Sequence, residues 1–406
     1  MNVDLLNEFE QELSNILGYW STVPIDIGNG GFYGQVENDN RVVEGADKGS
    51  VLNARILWFF SAAYNYSRLP EDLELAKRAY GYFSHYFIDR EHGGVYWSID
   101  AKGNPKDSKK QVYAIAFAIY GLAEYYKASH DKNALSLAIN LYADLEKHSY
   151  DSIKQGYFEA FSQDWSPLED QRLSDKDANE KKTMNTHLHL LEAFTNLYGV
   201  WPDDGLRRQL EKLLAIFGHR IIDQSTHHLK LFFDENWRSK SEVISFGHDI
   251  EASWLLLEAA EIIGDELLVD QFAKIAVQMV DAAIKGFDGN GGMNYEMENG
   301  HLNGEKHWWV QAEALVGLYN AYQLTGKKGY MERFDHCWAF VKKSLIDHQH
   351  GEWFWGVDRN NAPMPGQYKV GLWKCPYHNG RACLELIRRM SIQTDVFVLQ
   401  NAKNVL

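Results

Sequence analysis

Four short segments concentrate residues able to move protons and hold a polar ligand. In MNTHLHLLE (184–192), Asn185 and His189 are four apart and share a helix face; Glu192 follows His189 by three, and His187 is aimed elsewhere. In FGHDIEASW (246–254), His248 and Glu251 are three apart. A carboxylate beside an imidazole raises the imidazole pKa and fixes its orientation, which a general acid/base near neutral pH needs. In KHWWVQAEA (306–314), Trp309 and Glu313 share a face. Adjacent helix residues are about 100° apart, so at most one of Trp308 and Trp309 should face a site directly. In VGLWKCPYHNGRAC (370–383), Trp373 and His378 flank Pro376, so the segment reads as a loop entering a helix. Arg55 in NARILWF needs an acidic or polar partner if it lies inside a helix core. Tyr113 in KKQVYAIAF can place its hydroxyl in the same cavity.

Any one of these residues is as readily explained by core packing, a helix cap or a structural ion pair. Together they describe a cavity with several His, two Glu, an Arg, an Asn and Trp walls. Several histidines suit moving a proton on and off carbon. Two-carboxylate glycosidase chemistry is open by composition but has no need of three histidines. His189, His248 and Glu251 are a conceivable metal set, although the spacing is not HExxH. No GxGxxG, GxxxxGK[ST] or GxSxG segment is present.

The elements that must position these residues repeat along the chain. A short motif recurs as GGFYGQV (30–36), GGVYWSID (93–100), QGYFEAF (155–161), LKLFFDENW (229–237), GGMNYEME (291–298) and HGEWFWGVD (350–358). The spacings are about 63, 62, 74, 62 and 59 residues, and the fourth copy lacks its glycine. Between copies, stretches such as VYAIAFAIYGLAEYYKA are apolar on most faces and suit inner helices, whereas LRRQLEKLLAIFGHRII and its counterparts have one charged face and suit an outer ring. The pattern predicts an all-α single domain over 1–406, an (α/α)6 barrel of six inner and six outer helices with short β-hairpin-like turns at one end. Closure is inferred from the repeat count; an open solenoid would need polar capping repeats. The irregular stretch 162–183 is long enough to cover a site.

Composition bounds the partners. The 406 residues are 45% hydrophobic, with 13 Trp and 22 Tyr, enough to build a core and wall a sugar cleft. A formal net charge of −15 offers no footprint for nucleic acid. Three cysteines without a CxxC pair argue against a disulfide framework or zinc knuckle and fit a cytoplasmic protein. The N-terminus reads as an amphipathic helix, not a signal peptide, and no apolar run is long enough for a membrane span. A monomer is expected.

NARILW, KQVYAIAFAIYGL, MNTHLHLLEA, GHDIEASWLL, KHWWVQAEA and LWKCPYHNGRACLE, taken in order, resemble the cellobiose 2-epimerase branch of the N-acylglucosamine 2-epimerase superfamily. The resemblance covers nearly the whole chain. It implies an (α/α)6 barrel and an isomerase that reversibly epimerises C2 of the reducing-end sugar of a disaccharide, with neither cofactor nor metal. Cellobiose would become glucosyl-mannose and lactose epilactose, through ring opening and a cis-enediolate. By motif, His248 and His378 match the two histidines that share the proton transfers, and His189 matches a third. Arg55 matches the substrate arginine, Asn185 and Tyr113 polar contacts, and Trp309 and Trp373 stacking residues. Glu251 and Glu313 match acidic partners of the histidines, and Asp177 a contact to the second sugar. The same enediolate leaves a mannose isomerase or a monosaccharide or N-acetylglucosamine 2-epimerase as alternatives, with a glycoside hydrolase or a non-catalytic sugar-binding protein further away.

Overall fold

The computed structural model describes residues 3–403, with side chains over 4–391. In chain order the helices are α1 (Val3–Trp20), α2 (Ser50–Ser67), α3 (Pro70–Tyr86), α4 (Val112–Ser129), α5 (Lys132–His148), α6 (Met184–Tyr198), α7 (Asp204–Ile216), α8 (Phe246–Ile263), α9 (Glu266–Ala283), α10 (Trp308–Thr325), α11 (Lys328–Ser344) and α12 (Tyr377–Lys403). The N-terminal helix read from the sequence is α1; Met1 and Asn2 lie outside the described residues. Even-numbered helices are the inner ones. In α2, α4, α8 and α10 buried residues occupy nearly every position of the first three turns, as all-round apolar sequence demands. Their outer partners bury one stripe, as α5 does with Ala134, Ala138, Leu141, Tyr142 and Leu145. Asp131, Asp203 and Asp265 cap α5, α7 and α9 by accepting from first-turn amides.

Inner helices pack in sequence, α2 on α4, α4 on α6, α6 on α8, α8 on α10 and α10 on α12; α12 then packs on α2. That last contact closes the ring, so the molecule is an (α/α)6 barrel and not an open solenoid. Helix α1 lies on α12, which makes the sixth repeat from the two ends of the chain. Trp20 donates to Glu352 at 2.6 Å and Trp353 donates to Glu12 at 2.6 Å across this seam. Two glycines let inner helices approach closely: a Cβ on Gly121 would lie 2.6 Å from the Ala54 carbonyl oxygen, and one on Gly317 would lie 2.4 Å from Ile250.

Inner helices α2, α4, α6, α8 and α10 are each entered directly from a short strand, and each strand pairs antiparallel with the turn that follows the same repeat: Lys48–Gly49 with Ser98–Ile99, Lys110–Gln111 with Ala160–Phe161, Lys182–Thr183 with Phe232–Phe233, Ile244–Ser245 with Glu296–Glu298, and Lys306–His307 with Gly356–Val357. Tyr368–Val370 pairs back to Val36–Glu37 and closes this circle too. The expected hairpin-like turns are therefore, among the described residues, six separate sheets of two or three strands, set as a ring at one end of the barrel.

A periodic buried ion pair ties that ring together. Lys48, Lys110, Lys182, Lys306 and Lys369 reach Asp26, Asp89, Asp151, Asp288 and Asp347 at 2.7, 2.6, 2.8, 3.1 and 2.6 Å. The fourth repeat has Ile244 where the others have Lys. There Asp249 of α8 supports the turn, accepting from Leu229 N at 2.8 Å and bonding His228 Nδ1 at 2.6 Å. The repeat without its glycine is thus also the repeat without its lysine.

The three cysteines are free and buried. Among the described residues no helix is long and apolar enough to cross a membrane.

Candidate active site

The first turns of the inner helices converge on one cavity of about 550 Å3 at the strand-ring end. Arg55, Tyr113, Asn185, His189, His248, Glu251, Trp309, Trp373, His378 and Asp177 all line it. Glu313 does not. It lies fully buried behind His378, where Oε1 meets His378 Nδ1 at 2.7 Å and Oε2 accepts from Trp254 Nε1 at 3.1 Å. It is therefore placed to orient a histidine, not to touch a ligand.

Arg55 meets the requirement set by its burial. It donates to the Tyr113 hydroxyl at 2.8 Å, and its guanidinium lies 4.1 Å from the Phe117 ring centroid and 4.5 Å from that of Tyr377. Its Nε and the Asn185 Oδ1 have no protein partner, which leaves a donor and an acceptor at the cavity wall.

Four histidines line the cavity; His307 Nε2 lies 3.0 Å from Glu305, and the three expected ones are held differently from one another. His189 Nδ1 lies 2.9 Å from Glu192, and His378 Nδ1 lies 2.7 Å from Glu313. His248 Nδ1 instead meets the Ser245 hydroxyl at 2.8 Å. The expected His248–Glu251 pair is not formed. Glu251 turns to Arg381, which donates to it at 2.7 Å, because a buried guanidinium outcompetes a neutral imidazole for a carboxylate. The expected upward shift of His248 is reversed as well: burial pushes it down to about 3, helped by neighbouring His189. Burial also lowers His189, and lowers His378 well below the usual range with help from Arg55 and Arg381. All three imidazoles are thereby neutral at neutral pH, which is the proton-accepting form.

The Trp309 ring centroid lies 4.7 Å from that of His248 and 5.6 Å from that of His378. One indole thus sits against two histidines from different repeats. Trp308 lines the cavity beside it, contrary to the expectation that only one of the pair would. Both belong to the first turn of α10, where the wall curves around the helix end and receives two successive side chains. His378 is likewise on the first turn of α12 and not in a loop; Pro376 immediately precedes the helix. Trp373 does lie in the loop before it, 5.9 Å from Trp97 and 6.0 Å from Tyr113 between ring centroids.

The long segment 162–183 folds over the mouth, as its length suggested, and residues such as Gln171, Leu173 and Asp177 line the cavity. Asp177 accepts from Ser174 N at 2.9 Å and Ser174 Oγ at 3.0 Å. Tyr295 and Glu296 line the cavity from the hairpin that precedes α10; burial pushes Glu296 up to about 7.

Arg381, also absent from the residues expected to matter, lies beneath the floor of the site. It bonds Glu192 and Tyr377, and donates to Glu251 and Glu313 at 2.7 and 2.6 Å. The donor atoms of Glu251, Glu313 and His378 lie within 4.8 Å of one another, a spacing that a metal could use. The cation that faces these two carboxylates is the protein's own guanidinium. The sequence does carry a signal for it: an arginine four residues after Tyr377, one turn into an otherwise buried helix, requires acidic partners from neighbouring helices.

A family model described as N-acylglucosamine 2-epimerase (GlcNAc 2-epimerase) matches residues 31–382. The chain belongs to this family. The cellobiose 2-epimerase of Bacteroides fragilis is 49% identical over 390 residues, spanning 95% of this chain and 100% of that protein. The structure of cellobiose 2-epimerase from Bacillus thermoamylovorans B4167 superposes with a TM-score of 0.91 at 39% identity, covering 96% of this chain and 100% of the other. A D-mannose isomerase structure, 21% identical with a TM-score of 0.83 over 94% of this chain and 97% of its own, shares the fold. As a member of this epimerase family with such relatives, the chain is an isomerase.

Proposed function

We propose that this member of the N-acylglucosamine 2-epimerase family reversibly epimerises C2 of the reducing-end glucose of β-1,4-linked disaccharides, converting cellobiose to glucosyl-mannose and lactose to epilactose. The observation that carries this reading is the pair of neutral histidines, His248 and His378, brought from two repeats against the single indole of Trp309. A C2 proton next to an aldehyde is weakly acidic, so its removal needs a positioned base and stabilisation of the charge that develops. After ring opening, one histidine takes the C2 proton and a cis-enediolate forms. The imidazolium so formed releases its proton to solvent, and the other histidine takes one up from solvent and returns it to the opposite face of C2, which leaves both imidazoles neutral again. The Arg55 guanidinium stabilises the enediolate oxygens, and Tyr113 holds Arg55 in place.

Asn185 and His189 supply polar contacts to the open-chain sugar. Trp309 and Trp373 carry the apolar faces of the sugar rings, and Asp177, in the covering segment, contacts the second ring. Glu313 orients His378, and Glu251 steadies Arg381. Glu251 and Glu313 do not form a hydrolase's carboxylate pair, because both are committed to Arg381 and Glu313 does not reach the cavity.

The test is incubation of the purified protein with cellobiose, lactose, mannose and N-acetylglucosamine separately, with chromatographic identification of products. Glucosyl-mannose and epilactose are expected. Fructose from mannose with cellobiose untouched would replace this reading by a monosaccharide isomerase, and free glucose from cellobiose would replace it by a hydrolase.

A further inference from the structure

Arg381 is 2% exposed and carries the densest set of charged contacts in the barrel. Its planar fork meets one carboxylate from each of three inner helices: Glu192 of α6, Glu251 of α8 and Glu313 of α10. The guanidinium also lies 4.1 Å from the Tyr377 ring centroid and 4.8 Å from that of Trp254. Lysine, a single point charge, could not satisfy three carboxylates in this geometry. Two of the three are the acceptors already described, Glu192 for His189 and Glu313 for His378.

We propose that Arg381 is a positioning residue on which both carboxylate-backed histidines depend. Its guanidinium keeps Glu192 and Glu313 as acceptors of the His189 and His378 Nδ1–H groups, and so leaves each Nε2 free to take a proton. A carboxyl group that became protonated would instead donate to Nδ1, and the proton of the neutral ring would move to Nε2. The ring would then face the cavity with a donor and no lone pair.

Charge balance makes this dependence sharp. Arg55 and Arg381 face three carboxylates, an excess of one negative charge in a buried space. Burial raises Glu251, as does neighbouring Glu313; burial raises Glu313 in turn, and Arg381 is the main influence that opposes it, so the charge on Glu313 depends on the guanidinium. Burial opposes the charge on Glu192, yet Arg381 and His189 bring it down to about 2. The other titratable groups facing this cluster are Tyr113 and Tyr120 of α4, His248 and Glu258 of α8, and Tyr377 of α12. Burial raises the three tyrosines and Glu258, and lowers His248, so burial disfavours charge on all of them. None can replace Arg381 as a cation.

The kinetic consequence rests on the proposed epimerase reading, but the tautomer assignment does not. Nitrogen-15 NMR of histidine-labelled free protein is expected to show His189 and His378 as neutral Nδ1–H tautomers. In Arg381→Gln, His378 should shift towards Nε2–H. With cellobiose, kcat should fall about 10²-fold with KM within about threefold, and the acid limb of the kcat profile should move to higher pH as Glu313 takes up a proton. Arg381→Lys should recover part of kcat.

Wild-type tautomers and wild-type kcat in Arg381→Gln would overturn the proposal. If that variant does not fold, the wild-type spectrum decides: His378 as Nε2–H contradicts the proposal, and Nδ1–H supports it. Nδ1–H tautomers in a wild-type protein that leaves cellobiose unchanged would support the positioning role and sink the substrate reading.

Discussion

His248 Nδ1 rests 2.8 Å from the hydroxyl of Ser245, the residue that precedes α8, and not against a carboxylate. His378, by contrast, is backed by Glu313. The two histidines proposed to exchange the C2 proton are therefore unequal: a hydroxyl can donate or accept and permits either tautomer, while a carboxylate enforces one.

From that asymmetry, His248→Ala and His378→Ala should each remove turnover, by at least about 10²-fold, with circular dichroism unchanged. Ser245→Ala should be far milder than Glu313→Gln. Because both imidazoles are driven neutral, the acid limb of wild-type kcat/KM should lie below the ordinary histidine value of about 6.5. Substantial epimerisation by either alanine variant would remove that histidine from the proposed pair.

Arg55 and Tyr113 make a graded prediction. Arg55→Lys loses the fork that bonds Tyr113 and should lower kcat about 10²- to 10³-fold. Tyr113→Phe removes one hydrogen bond and should lower kcat/KM roughly tenfold. Steady-state kinetics would contradict the assignment if Tyr113→Phe were the more damaging of the two.

His187 offers a test of stability against pH. Its Nε2 accepts from Tyr157 N at 2.9 Å and its Nδ1 bonds the Thr183 carbonyl at 2.7 Å. Burial pushes it down to about 3. In the unfolded chain it titrates near 6.5, so below about pH 6.5 the unfolded state binds a proton that the folded state refuses. The stability that His187 contributes is present above that pH and is lost as pH falls, by about 1.4 kcal/mol per unit. Gln311 makes the corresponding bonds in the fifth repeat, accepting from Met293 N at 2.8 Å and donating to the His307 carbonyl at 3.3 Å. His187→Gln should therefore fold, and urea titrations at pH 7, 6 and 5 should show wild type losing ground to the variant. A constant difference between them across that range would contradict the neutral, buried assignment.

The strand ring makes a prediction about folding alone. Lys110→Met leaves Asp89 buried without its cation and should cost about 3 kcal/mol. Combining it with Asp89→Asn should recover much of the loss, because the fourth repeat carries Ile244 in the lysine position. Equal urea midpoints for wild type and the single variant would show that these pairs do not hold the ring.

Much of the fold is legible in the sequence because helical periodicity and a 60-residue repeat are local signals. The repeat by itself assigns the motifs at the starts of α2, α4, α6, α8, α10 and α12 to one end of a barrel. What the sequence does not convey is which residue wins a shared partner. Glu251 lies one turn from His248 by spacing, yet Arg381, 130 positions away in the chain, takes it. Glu313 shares a face with Trp309 but lies one turn deeper, behind His378 instead of in the cavity. The buried lysines give no local signal either, because a lysine before a helix reads as a solvated charge until its aspartate arrives from the turn before it.

The most direct test of the central claim is proton NMR of cellobiose incubated with the enzyme in deuterated water. Transfer between histidines that exchange with solvent predicts glucosyl-mannose carrying deuterium at C2. Glucosyl-mannose that keeps protium at C2 throughout the reaction would contradict the enediolate route through His248 and His378.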